Sequence, residues 1–216
     1  MSLFPRTSSI NLYIEYSTIW IYCQILGNKY EVNTYIPLDF NYDLEALVNV
    51  LDPIPKLVMP CHAKTVLQIH NLLGIDIPIQ SILYFKLPPS TLSAIHMDIN
   101  LSKKTKDAEF ALNLPLMNSD KVLMRWYVDN DPKTNFDVFA GPNGTDTPLL
   151  PINRAICINE LYYTRPHIVK INDWHSVENE STTDTAHFIS LRFFSPLDIV
   201  LNRLVRGTGI EPVLTA

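Results

Sequence analysis

Apolar residues recur along this chain with two different periods, and the period changes near residue 79. Before that point Leu44, Leu47, Val48 and Leu51 lie three and four residues apart, the stripe of an amphipathic helix. The spacing predicts a helix over 43–51, capped by Asp39 or Asn41 and stopped by Asp52-Pro53-Ile54-Pro55. A second helix is predicted over 61–73, with Val66, Ile69, Leu72 and Leu73 on its buried side and Gly74 closing it. Upstream, 10–26 is rich in Ile, Tyr, Thr and Trp and reads as a strand, with Gly27-Asn28 as a turn and 30–36 as the return.

After residue 79 short runs with strand character follow one another at 80–87, 94–101, 110–117, 121–128, 152–158, 162–171, 175–178 and 186–194. A long turn-rich loop over 129–148 interrupts them. A last helix over 196–206 carries Leu197, Val200, Leu201 and Leu204, and 207–216 reads as a loose tail. Sixteen prolines, spread along the chain, favour many short strands over a helical bundle. The expected class is mainly β with flanking helices (α+β), arranged as a sandwich or jelly-roll barrel. A single domain over 1–216 is expected: supporting strands and helices in 1–78, a core in 79–195, and a C-terminal helix and tail in 196–216.

Composition narrows the function classes. Hydrophobic residues make up 47% and charged residues 18%, which describes an ordered globule. A net charge of −5 and a pI near 5.6 speak against nucleic acid as the main partner. The densest basic cluster, Lys103, Lys104 and Lys106, is followed at once by Asp107 and Glu109, as in a solvated loop. Asn11, Glu15, Ser17, Thr18 and Gln24 make 10–26 too polar to span a bilayer, and the first residues lack a leader pattern. Cys23, Cys61 and Cys157 are odd in number and widely spaced, which suits reduced thiols. The expectation is a cytoplasmic protein without a membrane partner, compatible with a homodimer. The sequons Asn143-Gly144-Thr145 and Asn179-Glu180-Ser181 are read as chance matches.

The candidate chemistry centres on His96-Met97-Asp98. A strand turns alternate side chains to one face, so an imidazole and a carboxylate would point the same way while Ile95, Met97 and Ile99 pack on the outer layer. His175, after the turn Asn172-Asp173-Trp174, would supply a second imidazole. Two histidines and one carboxylate are the ligand set of non-haem Fe(II) oxygenases. The loop 179–184 is expected to form a hairpin that returns 186–194 beside the His175 strand. On that return Ser190 and Arg192 share one face, and Ile189, Leu191 and Phe193 the other, so Arg192 would present a permanent cation to the same cavity. Arg125, sharing a face with Tyr127, is a second candidate cation. Asn113 and Tyr84 are candidate cavity residues, and Trp126 and Trp174 are expected to pack. His62, His70, His167 and His187 lack partners at metal-binding spacing and are read as structural or exposed. The loop 129–148 is expected to border the cavity.

With these residues in place, the chain resembles the Fe(II)/2-oxoglutarate-dependent oxygenase superfamily. These are double-stranded β-helix (jelly-roll) proteins marked by His-x-Asp/Glu, a distal His and an Arg beyond it. The likeness runs over about residues 79–194. It implies that His96, Asp98 and His175 bind Fe(II), and that Arg192 pairs with the distal carboxylate of 2-oxoglutarate, with Ser190 as a second donor and Arg125 as the rival cation. It also implies oxidative decarboxylation of 2-oxoglutarate to succinate and CO₂, coupled to hydroxylation of a small-molecule or peptidyl substrate that the residues do not specify. Two other readings stay open: a cupin-like metalloenzyme that uses no 2-oxoglutarate, and a non-catalytic jelly-roll binding module.

Overall fold

In the computed structural model, residues 34–39, 42–51, 63–74, 77–101, 108–140, 146–208 and 211–212 are described, and all of them fall in the unit Thr34–Ala216. The strand expected over 10–26, most of that over 30–36, Cys23, Cys61, His62 and Asn143 lie outside them. The described residues are mainly β. The strands are β1 (Tyr35–Asp39), β2 (Ile79–Leu87), β3 (Thr91–Leu92), β4 (Phe110–Met117), β5 (Val122–Asp129), β6 (Asp137–Ala140), β7 (Asp146–Leu149), β8 (Ala155–Tyr162), β9 (His167–Lys170), β10 (His175–Asn179), β11 (Ala186–Phe193) and β12 (Glu211–Pro212). The helices are α1 (Leu44–Leu51), α2 (Ala63–Leu73) and α3 (Leu197–Thr208).

Two antiparallel sheets carry the fold. One has the order β12-β1-β9-β4-β11-β2 and the other β3-β10-β5-β8, with β6-β7 as a separate ribbon. The partners are nested: β2 pairs with β11, β3 with β10, β4 with β9 and β5 with β8. From β2 onward successive strands alternate between the sheets until β5 and β8, which pair with each other. The sheets face one another but stay open, so the expected closed barrel does not form. The side chains between them form a core that includes Ala111, Val122, Met124, Trp126, Tyr163, Val169 and Phe188. The other face of the larger sheet is buried as well, at Ile82, Leu112, Leu114, Ile189 and Leu191. Burial on both faces explains why β4 and β11 read as near-continuous apolar runs. The buried helix residues Leu47, Ile69, Leu73, Val200, Leu201 and Leu204 belong to the predicted apolar stripes, whereas Leu44, predicted on the stripe of Leu47, is 40% exposed; the Tyr42 hydroxyl just before α1 donates to the Pro115 carbonyl of β4.

Several expectations change. The strand expected over 94–101 is reduced to one isolated bridge at His96, and the two-residue strand β3 lies before it. The loop 129–148 contains the ribbon β6–β7, anchored by Arg154, which pairs with Asp129 and donates to the carbonyls of Asp131, Thr134 and Asn135 at 2.9–3.0 Å. The tail is not wholly loose: α3 continues to Thr208, and β12 pairs with Leu38 and Asp39. The predicted hairpin between β10 and β11 is a crossover between sheets. Asn179, fully buried, sets this crossover by donating to the carbonyls of Leu87, Pro88 and Asp184 at 2.8–3.1 Å. Its side chain is therefore closed to glycosylation.

Trp126 is fully buried, donates from Nε1 to the Lys170 carbonyl (2.8 Å) and stacks on Tyr35. Trp126→Ala should cost about 3–5 kcal/mol of stability in denaturant unfolding, the range for deleting a buried aromatic. His167 is 3% exposed, and burial pulls its imidazole down to about 4. A depressed histidine favours the folded state fully above its unfolded value, near 6.5, and that advantage is lost as pH falls toward 4. His167→Phe should accordingly remove on the order of 3 kcal/mol from the loss of stability between pH 7 and pH 4. Equal acid sensitivity in both proteins would contradict the assignment.

Candidate metal centre

His96 and His175 come together through backbone pairing between segments far apart in the chain. The His96 amide donates to the His175 carbonyl (2.9 Å), and the His175 amide donates back to the His96 carbonyl (2.8 Å). This bridge places the imidazole centroids 4.5 Å apart. Asp98 is held by its amide donating to the Ile171 carbonyl (2.8 Å). Each imidazole is then oriented by the carbonyl two residues before it. His96 Nδ1 lies 2.8 Å from the Ala94 oxygen, and His175 Nδ1 lies 2.8 Å from the Asp173 oxygen. A carbonyl only accepts, so each ring carries its proton on Nδ1 and leaves the Nε2 lone pair free.

Both Nε2 atoms face one carboxylate. His96 Nε2 is 3.4 Å from Asp98 Oδ1, and His175 Nε2 is 3.8 Å from Asp98 Oδ2. One ligand atom from each of His96, Asp98 and His175 lies within 4.8 Å of the others, so the group could hold a metal ion. Backbone-anchored Nδ1–H groups with Nε2 directed inward are the usual support of metal-binding histidines. The donor set, two neutral imidazoles and a carboxylate, fits a divalent first-row metal.

Electrostatics keep the Asp98 carboxylate ionised and the His175 imidazole neutral. Burial would raise the Asp98 carboxyl, but Arg192 and the two histidines outweigh it and hold Asp98 well below the usual carboxylate range. Burial pulls His175 down to about 4, so its Nε2 is unprotonated at neutral pH. His96 is raised, because its hydrogen bond and attraction to Asp98 overcome the effect of burial.

The group opens into a cavity of about 390 Å³ between the sheets. Arg192, Ser190 and Asn113 line it as well. Arg192 reaches it from the facing sheet and donates from Nη2 to Asp98 Oδ2 at 2.7 Å. Arg192 thus sits beside a metal-ligand candidate, and its Nε is buried without a hydrogen-bond partner. Arg125 is placed elsewhere. The inward residues of β5 are Met124 and Trp126, while Arg125 is outside the cavity lining and pairs with Glu178, Glu180 and Glu160. Tyr84 also falls outside the lining, because β2 turns Leu83, Phe85 and Leu87 inward and leaves Tyr84 bonded to His187 at 2.7 Å. Ile99 was expected to pack outward and lines the cavity instead, since the bent chain after His96 no longer alternates. The 129–148 segment borders the site through Thr147, which lines the cavity, and Leu149 just after it bridges His96.

Trp126 packs as expected, and Trp174 meets Phe136 edge-on. Sequence reasoning missed Tyr163, which is buried in the cavity wall and accepts from Asn113 Nδ2 (2.6 Å). Burial pushes its hydroxyl pKa up. Nothing in the spacing of Tyr162-Tyr163 distinguishes the buried ring from the exposed one. No family model matches the chain, and no curated protein matches it significantly. Among the described residues no helix is long and apolar enough to cross a membrane.

Proposed function

We propose that the protein is a non-haem Fe(II) oxygenase that uses a 2-oxo acid, with 2-oxoglutarate as the reference co-substrate, to hydroxylate a small-molecule or peptidyl substrate. The observation that carries this reading is the convergence of two Nδ1-anchored imidazoles and one carboxylate, on stiff pairing, at the head of a cavity. The nested strand pairs add support, because a long antiparallel ribbon wound on itself is the topology of a double-stranded β-helix. The exposed free thiol of Cys157 suits a reducing, cytoplasmic setting.

When bound, Fe(II) would supply a chelation site for the oxo acid and a means of activating oxygen. His96 and His175 would hold it through Nε2, and Asp98 through its carboxylate. Arg192 keeps Asp98 oriented and adds positive charge where an anionic ligand would arrive. Leu83, Phe85, Leu87, Met124 and Phe188 give the cavity apolar walls beside the reacting groups. The overall reaction balances: one oxygen atom goes into the acid left after loss of CO₂, and the other into a C–H bond of the substrate.

The test is anaerobic addition of Fe(II) and then a 2-oxo acid to the full chain, following the weak visible absorption of a chelated oxo acid. The proposal expects a band in the native protein and none in Asp98→Ala. Metal binding without any band would favour a cupin-like enzyme that needs no oxo acid, and no metal binding a non-catalytic module.

A further inference from the structure

Charge in the cavity is confined to one end. His96, Asp98, His175 and Arg192 cluster there, and Arg192 is the only lysine or arginine among the described lining residues. Along β11 the inward positions run Arg192, Ser190, Phe188, each step being about 7 Å. Ser190 stands opposite Leu83 and Asn113, and Phe188 stands opposite Phe85. The Phe85 and Phe188 rings stack with centroids 4.6 Å apart, and Leu87, Met124 and Val177 extend the apolar wall.

A 2-oxo acid chelates through its first carboxylate and its keto oxygen, so that carboxylate must lie beside the metal ligands. Arg192 is placed for it. Nη2 already rests on Asp98, and Nε is buried with no partner, so one guanidinium could serve both anions. The second carboxylate of 2-oxoglutarate would lie further along, toward Ser190 and Asn113. Asn113 is 4% exposed, gives its N–H to Tyr163, and keeps a buried Oδ1 without a donor. The Tyr163 hydroxyl is in turn directed at Met124 Sδ (3.0 Å). Among the described residues, a carboxylate brought there would meet the Ser190 hydroxyl, the Asn113 carbonyl oxygen and hydrocarbon, with no cation to offset its desolvation.

We propose that the oxo-acid slot is built for a monocarboxylic 2-oxo acid with an uncharged, largely apolar tail, in preference to dicarboxylic 2-oxoglutarate. This inference rests on the 2-oxo-acid reading above and narrows it. The test is direct binding to the full chain loaded anaerobically with Fe(II), comparing 4-methyl-2-oxopentanoate, phenylpyruvate and 2-oxoglutarate by calorimetry and by the visible band. At least one monocarboxylic acid should bind roughly tenfold or more tighter than 2-oxoglutarate, since only the latter must bury a second charge. Equal or tighter binding of 2-oxoglutarate overturns the inference and leaves the oxygenase reading standing. Binding of none of the three overturns both.

Discussion

His175→Ala should lower Fe(II) affinity by at least roughly a hundredfold, a larger loss than disturbing an outer-shell partner of a metal ligand. His175 is 2% exposed, its Nδ1 is committed to the Asp173 carbonyl, and its Nε2 is unprotonated at neutral pH because burial pulls the ring down to about 4. Without it, only His96 and Asp98 face the ion. His175→Gln, closer in volume, serves as the folded control and should lose the metal too. Arg125→Ala, outside the cavity, should bind Fe(II) like the native chain. Anaerobic calorimetry checks all three, and native-like affinity in both His175 variants would remove this residue from the site.

Arg192→Ala should weaken 2-oxo acid binding by about a hundredfold while changing Fe(II) affinity by less than about tenfold, as expected when a charged hydrogen-bond partner is lost but the metal ligands stay. The guanidinium is 2.7 Å from Asp98 and retains a buried, unpartnered Nε. Lysine at this position is a point charge and cannot bond two anions with a planar fork, so Arg192→Lys should recover only part of the loss. A second consequence concerns pH. Arg192 is the foremost of the groups that overcome burial to hold Asp98 below the carboxylate range. Its removal should let Asp98 rise, so metal occupancy in the variant should fall at a higher pH than in the native chain as acid is added. Unchanged oxo acid binding would reduce Arg192 to a structural partner of Asp98.

The parts of this fold that follow local periodicity were legible in the sequence. The run 110–117 is β4 to the residue, and the stripes of Leu47, Ile69, Val200 and Leu204 are buried. Pairing between distant segments was not legible. The 186–194 run looked like the hairpin partner of the His175 strand, yet β11 lies in the other sheet, because Asn179 ties the turn to Leu87 and Pro88 at the end of β2. Arg192 still meets Asp98, across the gap between sheets instead of along a ladder. His96 and Asp98 converge although their segment is barely a strand, since three backbone hydrogen bonds to His175 and Ile171 do the work expected of alternation. Arg125 reads in the sequence as a rival to Arg192, and strand register separates them: Arg125 faces Glu178 outside and Arg192 faces Asp98 within. The carbonyls of Ala94 and Asp173 leave no sequence mark, because every residue has one.

The most direct test of the account is anaerobic calorimetric titration of the full chain with Fe(II), run beside Asp98→Ala. The account predicts saturable binding of about one ion per chain, lost in the variant, as the shared carboxylate between two Nε2 atoms requires. Absence of saturable binding to the native chain, or equal binding to Asp98→Ala, would contradict it.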